Sequence, residues 1–261
     1  MLISEQQRNQ YEREGYMIVP GFLDQEELAM VRAVCDAGIT EIEEEMRSKG
    51  VTRDRINVLN RKYFIGNPRK RHRVLESLVF NRKCLEVCRA TIGDEVFLHN
   101  EQFVVKMTDT ATSFAWHQDS GYSVYNGGAE KHNPYITFWI ALDDMKSENG
   151  TISILPFSRE PASRELLEHI WEGEADAMVG YHGNDPGDLV EVPAGTLVAF
   201  SSHLLHRSGA NSTKHPRRSY FIAYTPTLFG YQNDPEKVYS SGEPLAVVGP
   251  AGHPVGGVIM K

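Results

Sequence analysis

The sequence predicts a mainly β fold with flanking helices, because its texture changes near residue 95 and short β-rich runs follow. These runs are rich in Val, Ile, Phe, Tyr and Thr and are separated by Gly, Pro, Asn and Asp. A parallel α/β sheet would need a helix between successive strands, so the pattern favours an antiparallel barrel or a double-sheet jelly roll. The runs lie at 95–107, 135–144, 150–157, 196–202 and 218–225.

Before residue 95 the sequence is largely helical. The polar run between Ser4 and Gly15 predicts a short capped helix. Asp24 is followed by Glu27 at the third helical position, which is the pattern of a capping box. It predicts the start of a longer helix that continues to about Met46.

Two further helices and one domain complete the expected organisation. One helix is expected at 74–90, and one helical insertion at 163–178 is expected to interrupt the β region. All-β barrels often reach this length as single units. We therefore expect one domain over 1–261, with a helical N-terminal part at about 1–94, a jelly-roll core at about 95–228 and a C-terminal tail at 229–261. The glycine- and proline-rich end of the tail could cover the barrel or a partner subunit, and the sequence does not choose.

The composition excludes several partners. The formal net charge of −8 gives no electrostatic reason to expect nucleic acid or an anionic membrane. The chain has no apolar run of membrane-spanning length, and its polar N-terminus does not resemble a signal peptide. The three cysteines, Cys35, Cys84 and Cys88, do not form a disulfide framework. We expect a cytoplasmic protein that acts on a small molecule, of unknown oligomeric state.

A candidate metal site begins with His117 and Asp119. Residues two apart on a strand point to the same face, so this imidazole and this carboxylate would converge. Iron(II) in oxygenases is typically held by two histidines and one carboxylate. The second histidine must come from elsewhere, and the segment after the run at 196–202 supplies both His203 and His206. Their spacing alone does not decide between them.

An arginine follows this segment and suggests a cosubstrate. Arg217 lies eleven residues after His206, at the start of another predicted strand. A guanidinium can hold the far end of a dicarboxylate bidentately while a metal chelates the near end. With HQD at 117–119 and HRSGANSTKHPR at 206–217, the chain resembles the phytanoyl-CoA dioxygenase family of iron(II)- and 2-oxoglutarate-dependent oxygenases, which includes ectoine hydroxylase-like enzymes.

The resemblance implies a double-stranded β-helix (jelly-roll, cupin-like) core and a specific set of site residues. It implies iron ligands at His117, Asp119 and His206, and 2-oxoglutarate binding by Arg217 with help from Ser208. Residues at less distinctive matching positions, and weaker candidates, complete the set. Lys106 and Trp139 match positions that line the pocket in relatives, Arg218 is the alternative to Arg217, Asn100 and Gln102 could reach the cosubstrate, and Tyr122 could contact substrate.

The resemblance also implies the reaction. Iron(II), 2-oxoglutarate and dioxygen would oxidise a small-molecule C–H bond, most simply by hydroxylation, with 2-oxoglutarate converted to succinate and carbon dioxide. Asp119 keeps the carboxylate that related halogenases replace by a small residue, so the resemblance excludes halogenation. Desaturation, epimerisation and cyclisation remain open as alternatives to hydroxylation. The alternative is a non-catalytic or hydrolytic metal-binding jelly-roll protein. The substrate could be an acyl thioester, an amino-acid derivative or a natural-product intermediate, and the basic cluster at 67–73 could attract an anionic group or be a solvated loop.

Overall fold

The computed structural model describes residues 2–109, 111–173, 176–248 and 254–256. Its first two helices start at the predicted N-caps, and both form capping boxes: the Ser4 hydroxyl accepts a hydrogen bond from the Gln7 amide, and the Asp24 carboxylate accepts one from the Glu27 amide. No helix in the described ranges is long and apolar enough to cross a membrane. The helices are α1 (Glu5–Glu14), α2 (Gln25–Ser48), α3 (Glu76–Val79), α4 (Arg82–Arg89) and α5 (Asp119–Tyr125), with short 3-10 segments at Pro68–Lys70, Arg73–Leu75 and Ser147–Asn149.

Sixteen strands in the described part of the chain form the β structure, and every pairing between them is antiparallel. They are β1 (Tyr16–Val19), β2 (Arg53–Asp54), β3 (Asn57–Val58), β4 (Lys62–Gly66), β5 (Val96–Lys106), β6 (Phe114–His117), β7 (Ile136–Ala141), β8 (Ile152–Leu155), β9 (Ile170–Glu172), β10 (Ala177–Val179), β11 (Asp188–Leu189), β12 (Leu197–Ser201), β13 (Leu205–Ser208), β14 (Arg217–Thr225), β15 (Glu243–Val248) and β16 (Pro254–Gly256).

Two sheets make the jelly roll. The large sheet has the order β1-β12-β7-β14-β5-β4-β3-β2, with β15 joining at β5 and β16 pairing with β15. The small sheet has the order β11-β8-β13-β6, and β9 pairs with β10. The prediction of a mainly β jelly roll is confirmed. The five predicted β-rich runs contain β5, β7, β8, β12 and β14.

The large sheet separates the hydrophobic core from the interior of the jelly roll. Successive residues of a strand face opposite sides. On β14, Tyr220, Ile222 and Tyr224 belong to the core that includes buried residues of α2, α3 and α4. Arg217 and Phe221, on the opposite face, line the space between the two sheets. The alternation therefore directs polar side chains of the sheet into the interior.

The N-terminal part differs from the expectation for about 1–94. Four strands, β1 to β4, extend the large sheet, so this region is not only helical. The domain boundaries themselves stay a prediction. Much of the glycine- and proline-rich end of the tail, at 249–253 and 257–261, lies outside the described residues.

The single helix expected at 74–90 is interrupted. Asn81 has extended backbone angles, and its side chain accepts a hydrogen bond of 2.8 Å from the Cys84 amide. Asparagine is a better N-cap than helix-interior residue, because its side chain competes for backbone hydrogen bonds. The chain therefore ends α3 at Val79 and starts α4 at Arg82. Cys84 and Cys88 lie on α4, and both are buried.

The helical insertion expected at 163–178 is wrong. The described residues of this segment contain the strands β9 and β10 instead of a helix. The buried Gln118 side chain accepts a hydrogen bond from the Leu167 amide (2.7 Å) and donates one to the Glu165 carbonyl (2.9 Å). These contacts with a distant residue satisfy the backbone of the segment, and they override its local helical preference.

Candidate metal centre and active-site cavity

A cavity of about 660 Å³ lies between the two sheets. It is lined by strands of the large sheet on one side and by β6, β13 and α5 on the other. This volume lies within the usual range of small-molecule sites, about 300–1,000 Å³. Among the residues predicted for the site, the lining includes His117, Asp119, His206, Ser208, Trp139 and Arg217.

Three of these side chains converge inside the cavity. His117 ends β6, and the pairing of β6 with β13 places it opposite His206. Asp119 is the first residue of α5, so the expectation that it lies on a strand with His117 is wrong. The Asp119 Oδ1 atom nevertheless lies 3.9 Å from His117 Nε2 and 3.7 Å from His206 Nε2. The three donor atoms lie within 4.8 Å of one another, which is compatible with one metal ion.

Hydrogen bonds orient all three groups. The Nδ1 atom of His117 donates to the Ala115 carbonyl (2.8 Å), and that of His206 donates to the Leu204 carbonyl (3.1 Å). Both Nε2 atoms therefore keep a free lone pair. The Thr137 hydroxyl donates to Asp119 Oδ2 at 2.6 Å, which leaves Oδ1 available. Two imidazoles and one carboxylate with such outer partners form a donor set that fits non-haem iron(II).

Burial sets the protonation states of this set. It lowers the pKa of His117 to about 3, with the nearby His206 imidazole as the second cause, and it lowers the pKa of His206 to about 4. Burial also raises the pKa of Asp119. The imidazoles are thus neutral at physiological pH, as metal ligation requires. A bound divalent cation would compensate the buried carboxylate.

Arg217 forms the far end of the cavity. Only 1% of the residue is exposed. Its guanidinium donates to the Gly150 carbonyl from Nη2 (2.6 Å) and Nε (3.2 Å), and its Cζ lies 5.6 Å from the centre of the Trp139 ring. No carboxylate in the described ranges lies within 4.0 Å of it, and burial lowers its pKa to about 10. A buried cation without an anionic partner is costly, so the site favours an anionic ligand here.

Arg217 and its alternative face opposite ways. Arg218 pairs with Asp143 and with Asp36, each at 2.7 Å, and these ion pairs hold its side chain on the other face of β14. Arg217 lines the cavity, and Arg218 does not. The alternation of side chains along β14 thus directs Arg217, and not Arg218, into the cavity.

Lys106 is placed differently from the other predicted contacts. It pairs with Arg217 across β5 and β14, but it is not part of the cavity lining. Its ammonium group donates to the Ser208 hydroxyl at 2.8 Å and to the Gly209 carbonyl. Burial, followed by the neighbouring Arg217, lowers its pKa well below the usual range. Lys106 therefore holds the Ser208 side chain in place next to the cavity.

The weaker candidates also reach the cavity. Asn100 and Gln102 line it from β5. Tyr122 lines it from α5, with its ring 5.1 Å from the His117 ring in an edge-to-face arrangement. His203 does not belong to the triad, because its side chain does not line the cavity and is not grouped with the donor atoms of His117, Asp119 and His206. Of the two histidines that the sequence left open, the structure brings His206 to the site.

The basic cluster at 67–73 is divided among several contacts. Arg69 is buried and forms ion pairs with Glu101 and Glu243. Arg71 and His72 contact Glu41, and Arg73 contacts Glu76. Lys70 is exposed, lines the cavity and forms no ion pair within the described ranges. The cluster is therefore not one anion-binding patch, and only Lys70 is left to attract an anion.

Some residues of the site, either in the cavity lining or in contact with the triad, were missed by sequence reasoning. Thr137 bonds Asp119, and the Phe200 ring lies 4.7 Å from the His206 ring. Both could have been found, because Thr137 precedes Trp139 by two residues and Phe200 lies in a predicted strand. A further group comes from β5 and from the chain after β14, and no local pattern points to it. It consists of His99, Tyr231, Tyr239, Ser240 and Ser241.

A jelly roll that encloses two histidines and one carboxylate, with a buried arginine at the end of the same cavity, defines a non-haem iron(II)- and 2-oxoglutarate-dependent oxygenase. The chain belongs to the phytanoyl-CoA dioxygenase (PhyH) family, whose model matches residues 11–219. It is thus an oxidoreductase of the class that uses iron, 2-oxoglutarate and dioxygen, as the two sequence motifs predicted.

Individual relatives agree with this assignment. The chain is 26% identical over 239 residues to the "Probable alpha-ketoglutarate-dependent hypophosphite dioxygenase" of Stutzerimonas stutzeri, covering 85% of this chain and 78% of the relative. It is 24% identical over 242 residues to the ectoine dioxygenase of Halomonas elongata, covering 85% and 70%. Among solved structures, EctD from S. alaskensis with 2-oxoglutarate and 5-hydroxyectoine superposes with a TM-score of 0.65 at 20% identity, covering 85% of this chain and 76% of EctD.

Proposed function

We propose that His117, Asp119 and His206 hold iron(II), that Arg217 and Ser208 bind the far carboxylate of 2-oxoglutarate, and that the enzyme hydroxylates a C–H bond of a small molecule. Bound iron, 2-oxoglutarate and dioxygen would supply the oxidation, in which 2-oxoglutarate becomes succinate and carbon dioxide and the substrate gains the second oxygen atom. The family membership supports the reaction class, and the cavity residues support the assignment of roles.

The single observation that carries the cosubstrate assignment is the buried Arg217, which has no carboxylate partner in the described part of the chain. A monocarboxylate or a neutral ligand at the metal would leave this guanidinium without a counter-charge. A ligand that carries a second carboxylate satisfies both ends of the cavity at once. Ser208 offers a hydroxyl beside it, and the Trp139 ring covers the guanidinium. This pattern supports a dicarboxylate cosubstrate over a non-catalytic metal-binding module, which would have no use for Arg217.

The chain's own residues prepare the site for this reaction. Thr137 fixes the rotation of the Asp119 carboxylate, and the backbone carbonyls fix the two imidazoles. His206 is buried and His117 and Asp119 are largely so, with side chains 12% and 11% exposed, which limits the access of bulk water to the reacting centre. The Tyr122 ring packs against His117 and limits the approach of a substrate to the remaining side of the cavity.

A small-molecule substrate and a cytoplasmic location belong to the same proposal. The cavity volume is suited to a small molecule. Cys35, Cys84 and Cys88 are all free and buried, which suits a reducing compartment.

The test is an anaerobic titration of metal-free protein with iron(II) and then 2-oxoglutarate, followed by the visible charge-transfer absorption of the iron–cosubstrate chelate. We expect the band in the wild type and its loss in Asp119→Ala, which removes a ligand. Glu148→Ala, at an exposed acidic position, is the matched control and should keep the band. Tight metal binding without the band, at saturating 2-oxoglutarate, would overturn the oxygenase proposal in favour of a metal-binding module.

A further inference from the structure

The pairing register of strand β5 locates the two ends of the cavity. Arg217 pairs with the last residue of β5. Asn100, nearer its start, lies opposite Ala223, and Ala223 in turn lies opposite Thr137, which bonds Asp119. The cosubstrate end therefore lies at the end of β5, and the triad lies level with Asn100. The rest of the cavity extends beyond the triad, toward the start of β5.

A β-bulge at this point turns two consecutive side chains into the cavity. Ala223 pairs with Asn100, but the next residue, Tyr224, pairs with Leu98, so His99 is an extra residue on β5. Leu98 packs in the core on the helix side, whereas His99 and Asn100 both line the cavity. Bulges near active sites commonly redirect a side chain in this way.

His99 and Ser240 bring two buried polar atoms without protein partners to this end. Only 6% of His99 is exposed, and its Nδ1 atom has no hydrogen-bond partner within the described ranges; neither has the buried Ser240 Oγ. Both residues line the cavity, and a hydrogen bond of 3.1 Å from the Ser241 amide to the His99 carbonyl joins their segments. Buried polar groups are rarely left without a partner, so these two indicate a ligand that supplies one.

Aromatic rings surround His99. The centre of its ring lies 4.4 Å from that of Tyr135, 5.1 Å from that of Phe229 and 5.8 Å from that of Tyr239. Tyr239 and Tyr231 also line the cavity. Tyrosines offer a flat apolar face together with a hydroxyl, so they suit a ring compound that carries polar groups.

The walls at this end carry little charge. Asn100 and Ser240 are uncharged, and burial lowers the pKa of His99 to about 3, so its imidazole is neutral. The charged lining residue Asp176 is neutralised by Lys62 and Arg53, each at 3.0 Å. Apart from Arg217 at the opposite end, Lys70 is the cationic lining residue that the described part of the chain offers to an anionic substrate.

We propose that His99 and Ser240 are specificity-determining residues that hydrogen-bond the substrate, and that the substrate is an uncharged ring compound bearing hydroxyl groups, of the kind found in a glycoside. The tyrosine faces pack against the ring, and the imidazole, amide and serine groups bond its hydroxyls. This inference rests on the proposed function and narrows its substrate class: it disfavours acyl thioesters of anionic carriers and zwitterionic amino acids.

The test uses the holoenzyme with iron(II) and 2-oxoglutarate and three sets of probes. Methyl and aryl glycosides represent neutral polyols, acyl-coenzyme A thioesters represent anions, and free amino acids represent zwitterions, all at millimolar concentration. Each is scored by succinate formed above the substrate-free rate and, anaerobically, by its change to the visible band of the iron–cosubstrate complex. His99→Phe keeps a ring but removes both nitrogens, His99→Asn keeps a polar atom near the Nδ1 position, and Ser240→Ala and Lys70→Ala complete the set.

We expect a glycoside to perturb the band and raise succinate formation. His99→Phe should raise the KM for that compound about ten- to a hundredfold, the effect of losing a buried hydrogen bond, with a smaller change in kcat. His99→Asn should recover part of the loss, Ser240→Ala should also raise KM, and Lys70→Ala should not. If His99→Phe fails to form the band in the absence of substrate, Ser240→Ala carries the comparison.

Three results would overturn the inference. They are stimulation by a coenzyme A thioester or an amino acid instead of a glycoside, an unchanged KM in both His99→Phe and Ser240→Ala, and no response to any glycoside although the iron–cosubstrate band forms normally. In each of these cases the oxygenase assignment still stands, because the band reports it separately. Absence of the band in the wild type would mean that the proposed function has failed, and this inference would fail with it.

Discussion

Replacing Arg217 by alanine separates the cosubstrate site from every other role of the cavity. The guanidinium is buried, donates to the Gly150 carbonyl and has no carboxylate partner in the described part of the chain. Arg218→Ala is the matched control, because it removes the same side chain from the opposite face of β14, where it pairs with Asp143. Arg217→Lys keeps the charge but loses the planar, bidentate geometry.

The expected loss of 2-oxoglutarate affinity follows from the burial of the proposed ion pair between Arg217 and the far carboxylate of 2-oxoglutarate. Truncating one partner of a buried, hydrogen-bonded charge pair costs about 2–5 kcal/mol. At about 1.36 kcal/mol per tenfold change, this corresponds to roughly 30-fold to roughly 5,000-fold weaker binding of 2-oxoglutarate. The unliganded protein should respond differently. Removing the buried Arg217 guanidinium also removes its desolvation cost, which offsets the lost hydrogen bonds to Gly150.

The assay is chemical denaturation of manganese(II)-loaded protein with and without 2-oxoglutarate. At 100 times its Kd, the ligand should stabilise the wild type by about 2.7 kcal/mol. At the same concentration it should stabilise Arg217→Ala by less than about 1 kcal/mol. Arg218→Ala should keep nearly the full ligand-induced gain, although its unliganded stability falls. Full stabilisation of Arg217→Ala, or its loss in Arg218→Ala, would refute the reasoning.

Three further predictions concern the supporting residues. Thr137→Val removes the hydrogen bond to Asp119 at nearly constant volume and should weaken metal binding about 10- to 100-fold in a manganese(II) titration, whereas Thr137→Ser should not. Gly150→Ala should lower the unfolding free energy by at least about 1 kcal/mol more than Gly50→Ala. Both glycines have positive φ, but of the two only Gly150 lies where an added Cβ would overlap a backbone carbonyl. Equal losses of unfolding free energy in urea denaturation would contradict this prediction. The pKa of His99 is about 3 in the folded protein against an ordinary value of 6.5, so the unfolded chain binds more protons between these values and stability falls as pH falls through that window. Between pH 7.5 and 5.5 the unfolding free energy of the wild type should fall by about 1.4 kcal/mol relative to that of His99→Phe. Parallel profiles of unfolding free energy against pH for the two proteins would exclude this account.

The metal triad could be predicted because its signal is local. The sequence places His117 and Asp119 two residues apart, and the structure brings them together although Asp119 starts α5 and does not lie on a strand. Gln118, the residue between them, keeps extended backbone angles, with φ −110° and ψ 138°. The strand-like alternation of side chains that the prediction assumed therefore continues past the end of β6 as far as Asp119. The reasoning was right about convergence and wrong about the element.

Predictions failed where distant contacts compete with local preference. The segment at 163–178 has a helix-like sequence, but the hydrogen bonds from Gln118 hold part of it in another conformation. Gln118 also receives support from the segment, since its amide donates to His169 Nε2 at 2.9 Å. Such contacts between residues about fifty positions apart leave no periodic signal in either stretch.

The substrate end of the cavity was beyond sequence reasoning for a related reason. His99 faces the cavity only because β5 carries an extra residue opposite β14, and a bulge has no reliable sequence pattern. Its neighbour Ser240 comes from the predicted tail, which is joined to β5 by backbone hydrogen bonds. The basic cluster at 67–73, the one local hint about substrate charge, is largely consumed by ion pairs such as that of Arg69 with Glu101. If the proposed substrate site is right, charge contributes less to substrate selection than its density in the sequence suggested, and the neutral groups around His99 contribute more.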